Sequence, residues 1–141
     1  SLGANPLHAI RTIRAAEAYR GTSLIIAYAH CIAHGINMTT GMSLQKEAVA
    51  CGYWPLYHFD PNAQPRPFSL DSKPPKGAFK DFAMQQARFA MLARAKPEDS
   101  ERLLRLGQDD INRRWNLYEQ LAATTRGAGN GEEKQEKEVQ A

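Results

Sequence analysis

The stretch that decides the predicted fold is SLIIAYAHCIAHG, residues 23–35. It opens with an apolar run that does not alternate with polar residues, which is typical of a parallel strand covered on both faces. The run ends at Cys31, which stands between His30 and His34, and Gly35 follows. Ligands in open α/β sheets bind beyond the carboxyl ends of the strands. The sequence therefore predicts that Cys31 lies where such a fold holds a ligand.

Length and composition indicate one ordinary globular domain. The chain has 141 residues, of which 43% are hydrophobic and 23% are charged. Its net charge of +3 is mild and its basic residues are dispersed, which argues against nucleic acid as a partner. No apolar run approaches the roughly 20 residues that cross a bilayer, and the first residues show no signal-peptide pattern. We therefore expect a cytoplasmic location and no membrane partner.

Before and after residues 23–35 the pattern alternates between helix and strand. A helix is predicted over residues 5–19, with Asn5 as the capping residue that accepts hydrogen bonds from the free amides. The aromatic segment 53–59 is predicted to be a strand, and Pro55 favours the edge of a sheet. The proline-rich segment 62–77 is predicted to run extended over a neighbouring surface, because structureless loops of that length are unusual in compact domains.

The C-terminal third is predicted to be helical and then disordered. One predicted helix ends near Ala95, and its inner face is marked by Phe79, Phe82, Gln86 and Phe89. A second helix is expected to begin at Pro97, and its apolar stripe consists of Leu104, Ile111, Trp115, Tyr118 and Ala122. Residues 123–141 are rich in glycine, glutamate and lysine and almost devoid of apolar side chains, so they cannot offset the entropy of ordering. We predict a folded part over residues 1–122 and a disordered charged tail over residues 123–141.

The predicted order of elements is an α/β pattern that lacks its opening strand. The helix over residues 5–19 has the place of a crossover from a strand that this sequence does not contain. A single pair of strands cannot cover both faces of residues 24–29. We therefore expect the chain to be the C-terminal piece of a larger protein.

The chemistry of Cys31 has several possible interpretations. A catalytic nucleophile would need a base oriented by a third group, and the sequence identifies no such triad. A zinc site could use Cys31 and His34, but a second pair of ligands is missing. An iron–sulfur cluster would need thiolates from elsewhere, since a 4Fe–4S cluster usually takes four cysteines. A small buried cysteine without chemistry also stays open for Cys31, and it is the favoured interpretation for Cys51; a disulfide between the two is disfavoured in a reducing compartment.

Six segments carry a resemblance to a known family. They are GANP (3–6), AAEAY (15–19), SLIIAYAHCIAHGINM (23–38), GYWPLY (52–57), LDSK (70–73) and DINRRW (110–115). Together they resemble the C-terminal region of pyruvate:ferredoxin (flavodoxin) oxidoreductases, over about residues 2–121.

The resemblance implies a fold and a set of cofactors. The fold would be the C-terminal fragment of an open parallel-sheet domain that binds thiamine diphosphate, followed by C-terminal helices. Such enzymes are homodimers that use thiamine diphosphate and Mg²⁺ to decarboxylate pyruvate, pass the acetyl group to coenzyme A, and send electrons through 4Fe–4S clusters to ferredoxin or flavodoxin. Cys31 would be one ligand of the cluster nearest the thiamine, with the other three ligands upstream.

The same resemblance implies what this chain should not do alone. The Gly-Asp-Gly and Asn-Thr-Gly-Gly segments with which the family binds thiamine diphosphate are not in this sequence. We therefore expect no catalytic residue here, no thiamine or complete cluster bound by this chain alone, and activity only together with the remainder of the oxidoreductase. Two alternatives remain: a subunit-docking module without a catalytic role, and a sister oxidoreductase that acts on another 2-oxoacid.

Overall fold

The computed structural model describes residues 1–125, and these residues form five α-helices and one small sheet. The helices are α1 (Pro6–Ala18), α2 (Gly41–Ala50), α3 (Phe79–Met84), α4 (Ala87–Ala95) and α5 (Pro97–Ala123). The strands are β1 (Tyr57–Phe59) and β2 (Phe68–Leu70), and two 3-10 turns cover Ile32–His34 and Met38–Thr40. Ala123, the first residue of the predicted disordered tail, is the last residue of α5; most of that predicted tail, residues 126–141, lies outside the described residues.

The core lies where α2, α3 and α5 pack together. Its buried members are Leu44, Ala48, Cys51, Phe79, Phe82, Ala83 and Ile111. Helix α5 is by far the longest, and its buried face includes Ile111 and Trp115, as the predicted apolar stripe requires. Pro97 stands in its first turn with two acidic residues, which suits the exposed amides and the positive end of the helix dipole.

The sheet is antiparallel and short. Strand β1 pairs with β2 so that Tyr57 lies opposite Leu70 and Phe59 opposite Phe68. The Tyr57 ring packs against Tyr118 of α5 with ring centroids 5.1 Å apart, so the β1–β2 sheet packs against that helix. The prediction of a strand over residues 53–59 is thus right only at its C-terminal end. The sequence predicts that residues 62–77 run extended with Phe68 and Leu70 as anchors, and the structure adds that residues 68–70 pair with β1 as a strand.

The predicted open parallel sheet is not formed by the described residues. The backbone of residues 22–30 makes no hydrogen bond with any other backbone group in that part of the chain, so the predicted central strand has no partner there. Its side chains are uncovered: Leu24 is 83% exposed and Ile26 is 63% exposed. The reason is physical, since a strand exists only where a neighbour supplies donors and acceptors along its length. The described fold is mixed helix with a two-stranded antiparallel sheet.

Helix α1 forms as predicted, yet it buries no residue. The Asn5 side chain accepts a hydrogen bond from the amide of His8 at 3.0 Å, which is the expected N-cap. The apolar face of the helix, Leu7, Ile10 and Ile13, is more than half exposed at each position. Polar contacts attach α1 instead: His8 Nε2 lies 2.9 Å from Asp71, whose carboxylate also contacts His58. No helix among the described residues has the length and apolar content to span a membrane.

Candidate functional site

Cys31 lies on the surface, directly before the 3-10 turn Ile32–His34. The turn is closed by a hydrogen bond from the His34 amide to the Cys31 carbonyl at 3.1 Å and by one from the Gly35 amide to the Ile32 carbonyl at 2.9 Å. The amides of Ile32 and Ala33 have no acceptor in the described part of the chain, as is normal for the first amides of a helical turn. The thiol and two free N–H groups therefore share one short stretch of backbone.

Position 35 requires glycine, both for its backbone conformation and for its close approach to α4. Its φ is +66°, in the left-handed region that favours glycine. A Cβ on Gly35 would also lie 2.6 Å from the Cβ of Ala87. At this close approach the Ala87 amide donates to the Gly35 carbonyl at 3.0 Å, which fastens the turn to the start of α4.

A cavity of about 180 Å³ opens beside Cys31. Its walls are partly aromatic and partly polar, and they come from the segment before the 3-10 turn and from three later elements. The lining residues are Tyr28, Ala29, His30, Cys31, His34, Leu44, Tyr53 and Gln86. The structure thus brings both predicted histidines to the same cavity as the predicted thiol.

The hydrogen bonds around His30 determine which of its nitrogens carries the proton. The Gly3 amide, which can only donate, lies 3.0 Å from Gln45 Oε1, so that oxygen is the acceptor and Gln45 Nε2 is the donor. Gln45 Nε2 lies 2.8 Å from His30 Nδ1. His30 Nδ1 must therefore accept, and a neutral imidazole then holds its proton on Nε2. The face of the ring near Nε2 rests on Gly41, where a Cβ would come within 2.5–2.7 Å of Nε2, Cδ2 and Cε1.

His34 is held in the opposite tautomer by a second glutamine. Its Nδ1 lies 2.8 Å from Gln86 Oε1, and because that oxygen accepts, Nδ1 carries the proton. Gln86 stands between α3 and α4, where its main-chain carbonyl accepts from the amides of Phe89 and Ala90. Neither imidazole is hydrogen-bonded to the Cys31 thiol.

Tyr28 forms an apolar, uncharged wall of the cavity. Its ring stacks on Trp54 with centroids 5.4 Å apart and meets Tyr53 edge-on at 6.1 Å. Burial, together with the neighbouring Tyr53 and Cys51, raises the pKa of Tyr28 to about 12. The phenol therefore keeps its proton at any physiological pH.

The structure decides several of the interpretations of the two cysteines. Both are free, so there is no disulfide between Cys31 and Cys51. Cys51 is buried at 4% exposure, as predicted, and burial raises its pKa. The interpretation of Cys31 as a buried structural cysteine is wrong, because Cys31 is exposed. Within residues 1–125 no three histidine, cysteine, aspartate or glutamate side chains come together as a metal site, so the described residues supply no zinc site.

Sequence reasoning missed the role of Gln45 and saw Gln86 only as part of a helix face. A lone glutamine carries no signal for a contact that is distant along the chain, and His30 and Gln45 are joined only by folding. Spacing did place Gln86 on the same inner face as Phe82 and Phe89. It gave no indication that a helix would break there and that the side chain would turn to His34.

Comparison with known proteins gives one consistent answer. No family model matches the chain. A pyruvate-flavodoxin oxidoreductase of Trichormus variabilis is 45% identical over 126 residues, which is 87% of this chain and 11% of that protein. A pyruvate:ferredoxin oxidoreductase of Moorella thermoacetica is 42% identical over 125 residues, 86% of this chain and 11% of that protein. A pyruvate-flavodoxin oxidoreductase of Rhodospirillum rubrum is 41% identical over 124 residues, 86% of this chain and 10% of that protein.

The chain spans about a tenth of the length of these relatives, and the match covers almost all of its described residues. The resemblance read from the six segments is therefore confirmed: this chain is homologous to one segment of the pyruvate:flavodoxin and pyruvate:ferredoxin oxidoreductases.

Proposed function

We propose that this chain is part of the thiamine diphosphate-binding domain of a pyruvate:ferredoxin or pyruvate:flavodoxin oxidoreductase, in which Cys31 donates one thiolate to a 4Fe–4S cluster. The observation that carries the proposal is the exposed Cys31 thiol beside a cavity, in a chain homologous to one segment of these enzymes. A thiolate is the ligand that iron–sulfur clusters take from proteins.

The residues around Cys31 fit a cluster as one ligand among several. Only one cysteine of the described part faces the cavity, so three further thiolates would have to come from other polypeptide. The unpaired amides of Ile32 and Ala33 are donors that could bond a cluster sulfur, and such bonds tune the reduction potential. The neutral phenol of Tyr28 and the stacked Trp54 would limit the access of water on one side.

The uncovered strand segment and helix α1 support the larger fold. Residues 22–30 have free backbone donors and acceptors, and the apolar face of α1 is open. A segment of this kind gains hydrogen bonds and apolar burial if it adds to a parallel sheet formed by other polypeptide, with α1 packed on one face. The proposed occupant is the remainder of the same oxidoreductase, which in the relatives is about nine-tenths of the protein.

The proposed reaction is the oxidative decarboxylation of pyruvate with coenzyme A to acetyl-CoA and CO₂, which releases two electrons. Thiamine diphosphate with Mg²⁺, bound outside this chain, supplies the carbanion chemistry. The residues described here would hold one end of the cluster and fix its position. Ferredoxin or flavodoxin would accept the electrons, and the complete protein would be a homodimer. Another 2-oxoacid remains an alternative substrate, because no described residue is assigned to the side chain of the substrate.

The proposal is tested on the complete oxidoreductase, purified without oxygen. Cys31→Ser should lower the iron and acid-labile sulfide content by one cluster and abolish electron transfer to the carrier. Cys51→Ala is the matched control, because Cys51 is buried in the core and should leave the iron content unchanged. Full iron content with normal activity in Cys31→Ser would disprove the proposal.

A second candidate is a docking module, favoured by a row of exposed leucines on α5. Leu103, Leu106, Leu117 and Leu121 are each 40–51% exposed. If removal of this region dissociates subunits and leaves every cluster intact, the docking role is the correct one.

A further inference from the structure

We propose that Gln45 and Gln86 are positioning residues that hold the Cys31 loop in one conformation by binding the two imidazoles on either side of the thiol. The inference rests on the proposed function of Cys31 and adds two residues to it.

Buried polar side chains are rare in this protein. In the part of the chain that the structure describes, only Gln45, Gln86 and Ser100 are polar or charged and buried, each at 4% exposure. Burying an amide is costly unless it is hydrogen-bonded, and an apolar residue of similar size avoids the cost. Two of these three buried polar residues hydrogen-bond a histidine close to Cys31 in sequence, Gln45 to His30 and Gln86 to His34. This points to a shared role at Cys31.

Gln45 links three separate parts of the chain. Its oxygen accepts from Ser1 Oγ at 2.8 Å and from the Gly3 amide at 3.0 Å, and its nitrogen donates to His30 Nδ1 at 2.8 Å. Because Gln45 lies on α2, it fixes the residue before the thiol to the hydrophobic core. No other side chain of the described residues hydrogen-bonds His30.

Gln86 does the same on the other side of the thiol. It accepts from His34 Nδ1 at 2.8 Å, and one residue later the Ala87 amide donates to the Gly35 carbonyl at 3.0 Å. Two adjacent bonds thus join the end of the 3-10 turn to the junction of α3 and α4. Cys31 itself makes no side-chain hydrogen bond, so its direction is set by these contacts on both sides.

For a cluster ligand, these contacts restrict the orientation of the Cys31 side chain. A loop fixed at both ends holds the thiolate in one place, whereas a loop freed at one end allows several orientations of the Sγ atom. Hydrogen-bonded partners of this outer kind are known to orient ligands and to tune a metal site. Removal of either glutamine should therefore leave iron bound but make the cluster heterogeneous.

The test uses the complete oxidoreductase with Gln86→Met and Gln45→Met, since methionine has the length of glutamine without its hydrogen bonds. Gln85→Met and Lys46→Met are the matched controls, because these neighbours are exposed and do not contact either histidine. We expect a shifted reduction potential and a broadened electron paramagnetic resonance signal for one cluster in the two test variants and wild-type values in the controls. Wild-type potentials and line shapes in both test variants would overturn the inference.

A second comparison separates positioning from a general loss of structure. His34→Phe removes the partner of Gln86, so Gln86→Met should have little further effect on the potential in that background. An equal shift in the wild-type and His34→Phe backgrounds would mean that Gln86 does not act through His34, and the inference would fail.

The failure of this inference differs from failure of the proposed function. If Cys31→Ser loses a cluster while both glutamine variants match the wild type, only the positioning role is wrong. If Cys31→Ser keeps all its iron, the cluster assignment is wrong whatever the glutamines do.

Discussion

The contact between His30 and Gly41 gives a prediction whose size can be worked out from the structure. Gly41 is the first residue of α2 and has ordinary helical angles, φ −56° and ψ −36°, so alanine meets no backbone obstacle there. The new Cβ would lie 2.5 Å from His30 Nε2, about 0.9 Å short of the 3.4 Å at which contacts become ordinary. The ring of His30 must therefore move in Gly41→Ala.

Movement of the ring weakens its bond to Gln45. The new Cβ would lie 2.5–2.7 Å from Nε2, Cδ2 and Cε1 together, so the ring must tilt or shift away from α2. A tilt turns Nδ1 out of line with its 2.8 Å bond to Gln45, and hydrogen bonds weaken steeply as they lose alignment. A buried donor left without an acceptor costs about 1–3 kcal/mol. Alanine is better than glycine in a helix by up to about 1 kcal/mol, which offsets part of that cost. The expected net loss is about 1–2 kcal/mol, a factor of about 5–30 in a local opening equilibrium.

The assay is hydrogen exchange, read by mass spectrometry on the complete oxidoreductase. Peptides that contain residues 28–37 and the start of α2 should exchange about 5–30-fold faster in Gly41→Ala. Gly21→Ala is the control, because its Cβ would meet only the side chain of Tyr19, which is 39% exposed and can move. Unchanged exchange in Gly41→Ala would show that His30 does not depend on this contact.

Three further predictions concern α1 and the cavity wall. Asn5→Ala removes the cap bond and should cost about 1 kcal/mol, seen as about fivefold faster exchange in the first turn of α1. Asp71→Asn weakens the contacts to His8 and His58, and such pairs contribute about 0.2–1 kcal/mol each. Hydrogen exchange across α1 should therefore be at most a fewfold faster, and the increase should be smaller at high salt, which screens the charges. Tyr28 should ionise only near pH 12, because burial raises its pKa, so the phenolate absorbance that appears near pH 12 should fall by one tyrosine in Tyr28→Phe. An unfolded tyrosine ionises near pH 10, whereas Tyr28 in the folded protein ionises near pH 12. The contribution of Tyr28 to the free energy of unfolding is therefore complete below pH 10 and is lost as the pH rises towards 12.

Each of these predictions has an outcome that contradicts it. Equal exchange in Asn5→Ala and wild type would mean that packing against other polypeptide, rather than the cap, holds the first turn. Asp109→Asn is the control for Asp71→Asn, because Asp109 is an exposed acid on α5 without an ion pair among the described residues; equal effects of the two would remove any special role for Asp71. An absorbance change near pH 12 of equal size in Tyr28→Phe and wild type would mean that Tyr28 ionises at a lower pH.

Local signals in the sequence predicted α1 and α5 well. The Asn5 cap, the Pro97 start and the apolar stripe through Ile111 and Trp115 all depend on residues within a few positions of one another, and all are present in the structure. The same kind of signal singled out Cys31 as the candidate ligand, and the structure places it at one cavity with His30 and His34.

Properties that depend on distant residues could not be predicted in this way. An apolar run such as residues 24–29 indicates burial without saying which chain provides the cover, and the described residues do not provide it. The pairing of β1 with β2 across the proline-rich segment, and the contacts of Gln45 and Gln86 with histidines, join residues that are far apart in sequence. Only the fold brings them together.

The measurement that tests the central claim most directly is a structure of the complete oxidoreductase with its cofactors bound, and the position of Cys31 Sγ within it. The account predicts that this sulfur is bonded to an iron of a 4Fe–4S cluster, with the other three thiolates from polypeptide outside this chain. A Cys31 sulfur surrounded only by hydrocarbon side chains, with every iron bound elsewhere, would contradict it.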